Sequence, residues 1–212
     1  MRLHVFPPSP NAIEVLAAAH LLELPFEPVH VDLFKGEQKS RSFTALNPNQ
    51  RMPVLEDDGF VLWESNAILQ YLAGKRPERG FWPGEPRRQA DVSRWQFWQA
   101  VHWGPICGTY VFERVVKRIM ALGPANEAEV TRIAPDFHRS AGVLNGWLRA
   151  RRWVTGDDLT VADVSLGAWM VYAEEAGYPL AAYPEIGRWY AGLAALPGWQ
   201  RALPASGTGI AA

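Results

Sequence analysis

Three short segments carry side chains whose types and spacing suit chemistry. Ser9-Pro10-Asn11 follows a strand-like stretch at residues 3–6 and opens a helical pattern. Serine is a favoured N-cap, and proline suits the first helical position. A hydroxyl at the positive end of a helix, beside unpaired amides, can hydrogen-bond a thiolate and stabilise it. The same residues also make a plain helix cap. Arg51-Met52-Pro53-Val54 puts a proline where a strand opens after a loop, a position suited to a cis peptide. A cis bond would leave the Met52 N–H and C=O turned from the sheet, free to pair with an extended peptide. An ordinary trans proline on an edge strand fits the spacing equally. In Trp63-Glu64-Ser65-Asn66-Ala67-Ile68, Ser65 reads as a second N-cap. A helix N-terminus with a hydroxyl holds a carboxylate, and Glu64 beside it would hold an ammonium group. An amino-acid head group presents those two charges side by side. A cap next to a solvated glutamate is the plainer reading.

These segments need a frame. Residues 3–6 and 27–32 read as strands, with a helix over 11–23 between them, so the two strands should be parallel. A short helix over 40–46 stops at Asn47-Pro48. Residues 54–56 and 61–63 form a hairpin around Asp57-Asp58-Gly59, and residues 65–74 form a helix. Pro77, Gly80, Pro83 and Gly84 break the pattern, and everything beyond reads as helix: 87–120, bending at Gly104-Pro105; 127–150, kinked or split at Pro135; 161–175; and 185–195. The expected organisation is an α/β domain over 1–75, a linker over 76–86, an all-helical domain over 87–206 and a disordered tail over 207–212.

Composition narrows the function. The 212 residues are 48% hydrophobic and 20% charged, which excludes wholesale disorder. A net charge of −1 argues against nucleic-acid binding driven by bulk charge. The single cysteine, Cys107, excludes an intramolecular disulfide and a thiolate zinc site, and no metal is expected. It also favours a reducing compartment. No run reaches the ~20 apolar residues of a membrane span, and Pro7, Pro8, Pro10 and Glu14 break any signal-like stretch. A cytoplasmic protein is expected. Ten tryptophans must find a core, an interface or an apolar pocket.

Taken together, Ser9, Asn47-Pro48, Met52-Pro53-Val54, Glu64-Ser65-Asn66-Ala67-Ile68 and the segment Gly156-Asp157-Asp158-Leu159-Thr160-Val161-Ala162-Asp163 resemble the cytosolic glutathione transferase superfamily over nearly the whole chain. The resemblance implies a thioredoxin-like first domain with a cis Pro53, an all-helical second domain, and a homodimer with one glutathione site per subunit. It places Ser9 where serine-type classes (phi- and theta-like) keep the hydroxyl that stabilises the glutathione thiolate. Ser9-Pro10-Asn11 also resembles a segment of bacterial nu-like members, which makes Asn11 a second candidate. The nearby cysteine of beta-class members is absent. Met52 would bond the cysteinyl backbone, Glu64 and Ser65 the γ-glutamyl end, and Gln38 and Lys39 the glycine carboxylate. Gln38 stands where histidine is usual, Gln50 where glycine is, and Arg51 where glutamine is common. Arg51 could supply a compensating charge.

By the same resemblance, the second substrate's pocket lies between the first-strand loop and the first long helix of the helical domain. Phe6, Pro7 and Pro8 would supply one wall. Trp103, Cys107, Tyr110 and Arg114 share one helical face and would supply the other; the alternative is that Trp95, Trp98 and Phe112 are core and some of this face is dimer contact. His102 is expected to be packed. Thr160 and Asp163 form a capping box, with Leu159 and Val164 as its staple, in a structural role. The expected activity is conjugation of reduced glutathione, as co-substrate, to small electrophiles in detoxification. The alternatives are a non-catalytic binding or regulatory protein of the same fold, or a glutathione-dependent isomerase, dehalogenase or reductase.

Overall fold

The computed structural model describes residues 1–204. The expected tail over 207–212 lies outside them. The N-terminal domain holds β1 (Arg2–Val5), α1 (Pro10–Leu21), β2 (Glu27–His30), α2 (Arg41–Leu46), β3 (Val54–Asp57), β4 (Phe60–Trp63) and α3 (Ser65–Gly74). The sheet order is β2-β1-β3-β4, with β1 parallel to β2 and antiparallel to β3, and β4 antiparallel to β3. Asp58 and Gly59 both take positive φ, 48° and 85°, the conformation that joins two strands through a two-residue turn.

Every residue of α1 from Ala12 to Ala19 is buried. The helix packs against α3 on one side and against a helix of the second domain on the other, so it is apolar all round. The small α2 is capped by the Ser40 hydroxyl, which accepts from the Phe43 N–H at 3.2 Å. It covers the opposite face of the sheet, where Phe43, Val31 and Val54 make a separate small core. This is a thioredoxin-like domain.

The second domain is helical. α4 (Pro86–Trp98), α5 (Gly104–Val111) and α6 (Lys117–Ile119) follow one another through π-helical turns at Gln99–Trp103 and Phe112–Val116. Pro105 has no N–H for the helical ladder, and the first widened turn immediately precedes it. α7 (Glu127–Leu148) runs through Pro135 as a single helix. Pro135 sits on its exposed side, where the carbonyl that the proline leaves unpaired is open to solvent rather than stranded in the core. α8 (Val161–Ala168) continues into a 3₁₀ turn at Trp169–Tyr172, and α9 (Pro184–Ala194) and α10 (Pro197–Gln200) follow.

All eight residues of α8 are buried, and this helix packs on α1, α3, α4 and α9. Its N-terminus is closed by the capping box. The Asp163 carboxylate accepts from the Thr160 N–H at 3.1 Å and the Thr160 hydroxyl at 3.2 Å. It also accepts from the Val154 N–H at 2.8 Å and the Trp189 indole N–H at 2.9 Å. Close approach fixes one glycine: a Cβ on Gly198 of α10 would stand 2.9 Å from the Leu21 backbone nitrogen at the end of α1. Among the described residues, no helix is long and apolar enough to cross a membrane.

Candidate functional site

Ser9 ends the loop after β1 and precedes α1 in an extended conformation, φ −72° and ψ 131°. Its N–H donates to the Phe6 carbonyl at 2.8 Å, and its carbonyl accepts the first two helical bonds, from Ala12 and Ile13. The backbone therefore performs the capping, and the hydroxyl makes no cap bond. Ser9 lines a cavity of about 230 Å³. Asn11, the second residue of α1, is not among the residues lining that cavity.

The cavity lies between the domains. Phe6, Pro8, Ser9, Pro10, Leu33 and Phe34 form one side, and Val111, Val115, Val116, Ile119, Met120 and Tyr172 form the other. Among the described residues, no charged side chain lines it. The side-chain polar groups on its wall are the Ser9 and Tyr172 hydroxyls. Tyr172 donates to the Pro8 carbonyl at 2.6 Å. Burial, helped by nearby Glu175, pushes its phenol up to about 12.

The helical wall differs from the one read in the sequence. Phe6 and Pro8 line the cavity, but Trp103, Cys107 and Tyr110 lie in the core, with exposures of 0%, 0% and 2%. The Trp103 and Tyr110 rings pack on Phe137 of α7, with centroids 5.5 and 5.3 Å away. Burial pushes the Cys107 thiol far up, so it stays protonated. Arg114 is a clamp: it pairs with Glu127 at 2.7 Å and donates to the carbonyls of Ala176 and Gly177 at 3.1 and 3.3 Å. Aromatic bulk identified the wrong face, because the rings gain more by packing on α7. The aliphatic set Val111, Val115 and Ile119, also at helical spacing, was the legible signal for the right one. Leu33, Phe34 and Tyr172 carried no local signal.

A second cluster lies at the mouth of α3. The Met52–Pro53 bond is cis. Among the described residues, the Met52 N–H and C=O make no hydrogen bond. The loop before them is fixed by buried Asn47, whose amide donates to the Arg51 carbonyl at 2.7 Å while its oxygen accepts from the Asn49 N–H at 3.0 Å. Glu64, not Ser65, is the residue preceding α3, and Ser65 is its first helical residue. Glu64 has φ 72°, which costs a non-glycine residue on the order of 1 kcal/mol. The helical ladder begins with Ile68 N–H to Glu64 carbonyl at 3.0 Å. The Ser65, Asn66 and Ala67 N–H groups consequently have no partner among the described residues, and with the Ser65 hydroxyl they form an anion cradle. The exposed Glu64 carboxylate adds a negative charge beside it.

Asn66 then turns inward. Its amide donates to Gln99 Oε1 at 2.9 Å and the Gln96 carbonyl at 3.2 Å. Its oxygen accepts from Gln96 Nε2 at 3.1 Å and Ser165 Oγ at 2.8 Å. This network, not foreseen from the sequence, ties α3 to both α4 and α8. Gln38 and Lys39 stand on the 3₁₀ turn at Glu37–Lys39. Gln38 Oε1 is buried without a partner, whereas Lys39 and Arg51 are exposed and carry no ion pair among the described residues.

The chain matches the family described as glutathione S-transferase, N-terminal domain, over residues 1–74, and glutathione S-transferase, C-terminal domain, over 105–197. It is 30% identical over 214 residues to glutathione S-transferase 3 of Zea mays, covering 97% of this chain and 94% of that one. A glutathione S-transferase structure from Pseudomonas fluorescens superposes with a TM-score of 0.84 at 30% identity, covering 93% of this chain and 96% of that one. A second structure from that organism, a family member with two glutathione bound, superposes with a TM-score of 0.82 at 26% identity, covering 95% and 91%. The free peptide groups at Met52, the cradle at α3 and the fold that joins them have one common explanation: the chain belongs to the cytosolic glutathione S-transferase superfamily.

Proposed function

We propose that the protein binds reduced glutathione and directs its sulfur, as a thiolate, at small uncharged electrophiles. The observation that carries this reading is Ser9, whose hydroxyl makes no cap bond and which lines an apolar cavity between the domains. The residues present fit the tripeptide. The α3 cradle and Glu64 match the carboxylate and ammonium of the γ-glutamyl end, and Met52 offers an unpaired N–H and C=O to the cysteinyl residue. Arg51 and Lys39 are unpaired cations for the glycyl carboxylate, with Gln38 as a neutral partner.

Free thiols titrate at about 8.5, so only a few per cent are ionised at neutral pH. A hydroxyl donor at a helix N-terminus lowers this by about one or two units, enough to ionise most of the bound thiol. Ser9 serves as that donor in this reading. Asn11, away from the cavity, is ranked below it. The absence of charged side chains selects an uncharged apolar second substrate, since a buried ionic group would lose its hydration without a partner.

A homodimer accompanies this reading. Phe60, Val61 and Trp63 on β4, Phe97 on α4 and Val101 on the π-helical turn after it are exposed apolar residues that a second copy would cover. The test is calorimetry with glutathione, followed by conjugation assays with a neutral aryl halide and an anionic analogue. Binding with turnover of the neutral compound alone is expected. Absence of binding would remove the proposal.

A further inference from the structure

Among the described residues, Glu14 is the one buried carboxylate whose two oxygens both lack a hydrogen-bond partner. It sits on α1 with 0% exposure, and neither oxygen has a hydrogen-bond partner. The Ser65 and Ser165 hydroxyls lie beside it, but neither makes a bond of good geometry. Ser65 is the residue that opens the α3 cradle. The unpaired carboxyl group thus stands directly behind the anion site, on its protein side.

We propose that Glu14 is a positioning residue: in its neutral form it leaves the Ser65 hydroxyl free to donate outward, and so couples occupancy of the α3 cradle by a ligand carboxylate to its own protonation. An ionised Glu14 has two consequences. It captures the Ser65 proton inward, which turns the oxygen's lone pairs toward the ligand, and it places a negative charge behind the helix N-terminus. Both oppose an incoming carboxylate. By reciprocity, a bound carboxylate holds Glu14 in its neutral form.

The surroundings leave the group to itself. α3 presents neutral Ser65 and Asn66, and its titratable Tyr71, with Lys75 just beyond its end, bonds Asp57. α8 presents Ser165, while Asp163 is turned to Val154, Thr160 and Trp189. α4 presents neutral Gln96 and Gln99 to Asn66. On β1, His4 pairs with Glu56. On α1 itself, His20 faces Arg201 beyond α10. Burial, only partly offset by the two serines, raises the Glu14 carboxyl to about 8, so it is neutral at pH 7.

The inference rests on the proposed glutathione site, and the test separates the two. S-methylglutathione, which has no thiol to titrate, is the probe, with affinity measured by calorimetry from pH 6.5 to 9. The wild-type Kd should rise about five- to ten-fold over that range, and the rise in Glu14→Gln should be limited to the ligand amine's own titration. Ser65→Ala, weaker throughout, should keep only the part of the rise that the Glu14 charge causes by itself, giving a profile between the other two. Infrared difference spectra of wild type against Glu14→Gln provide the ligand-free readout, with the carbonyl band of a dry carboxylic acid expected at pH 7. Parallel pH profiles for wild type and Glu14→Gln, or no acid band at pH 7, overturn the coupling. No binding of the probe at pH 6.5, with the acid band present, overturns the functional reading instead.

Discussion

Tyr172 and Pro8 are joined by a 2.6 Å hydrogen bond that ties the helical domain to the loop presenting Ser9. The bond crosses 164 residues of sequence and closes one side of the cavity. Tyr172→Phe should cost about 1 kcal/mol of stability. It should also lower kcat for a neutral aryl halide several-fold, with the KM for glutathione little changed, because only the loop's placement is loosened. Steady-state kinetics with a melting curve check both.

Ser9→Ala removes the donor while the backbone capping of α1 stays intact. Turnover at pH 6.5 should fall about ten-fold or more, and the bound thiol should titrate back toward its free value of about 8.5. Thiolate absorbance against pH reads this directly. Glutathione affinity should change little.

Arg114 gives the opposite pattern. Its guanidinium holds Glu127 and the carbonyls of Ala176 and Gly177 together. Arg114→Met should lower stability by about 1–3 kcal/mol and leave the KM of an apolar electrophile unchanged. A large KM effect would return this residue to the cavity.

Stability should depend on pH through two buried acids. Asp163 is raised from 3.8 to about 6 and Glu14 from 4.5 to about 8, each by burial. The folded state binds their protons more tightly than the unfolded chain, so each contribution is full below the unfolded value and lost as pH rises through the folded one. The melting temperature should therefore fall between about pH 4 and pH 8. Glu14→Gln should flatten the upper part of that fall. Asp163→Ala is a different case: it strands the Val154, Thr160 and Trp189 N–H donors and should cost about 3–5 kcal/mol.

Gly198→Ala tests the seam between the domains. Its added methyl would meet the Leu21 backbone as well as its side chain, and the backbone cannot swing aside. A loss of about 1–3 kcal/mol is expected from denaturant melts.

Local chemistry made much of this structure legible in the sequence. The hairpin at Asp58-Gly59, the capping box at Thr160 and Asp163, and the strand-opening Pro53 are each fixed by neighbours within a few residues. The cavity was half legible for the same reason: Phe6 and Pro8 sit beside Ser9, whereas the far wall depends on which face of a long helix turns inward. Two π-helical turns and the packing of Trp103 and Tyr110 on Phe137 decide that face, and neither follows from periodicity. The proline at 135 illustrates the converse, since its cost depends on whether water can reach the orphaned carbonyl. The Asn66 network and Glu14 were invisible because their partners lie on α1, α3, α4 and α8, far apart in the chain.

The aliphatic side of the cavity comes largely from one stretch, Val111 to Met120, while the peptide-binding groups sit on the other domain. On the proposed reading, reactant choice and nucleophile handling are thus written largely in separate passages of the gene. Swapping a few methyl groups along that single rod would retune which molecules are accepted without disturbing how sulfur is activated, so relatives sharing one chemistry can diverge widely in diet.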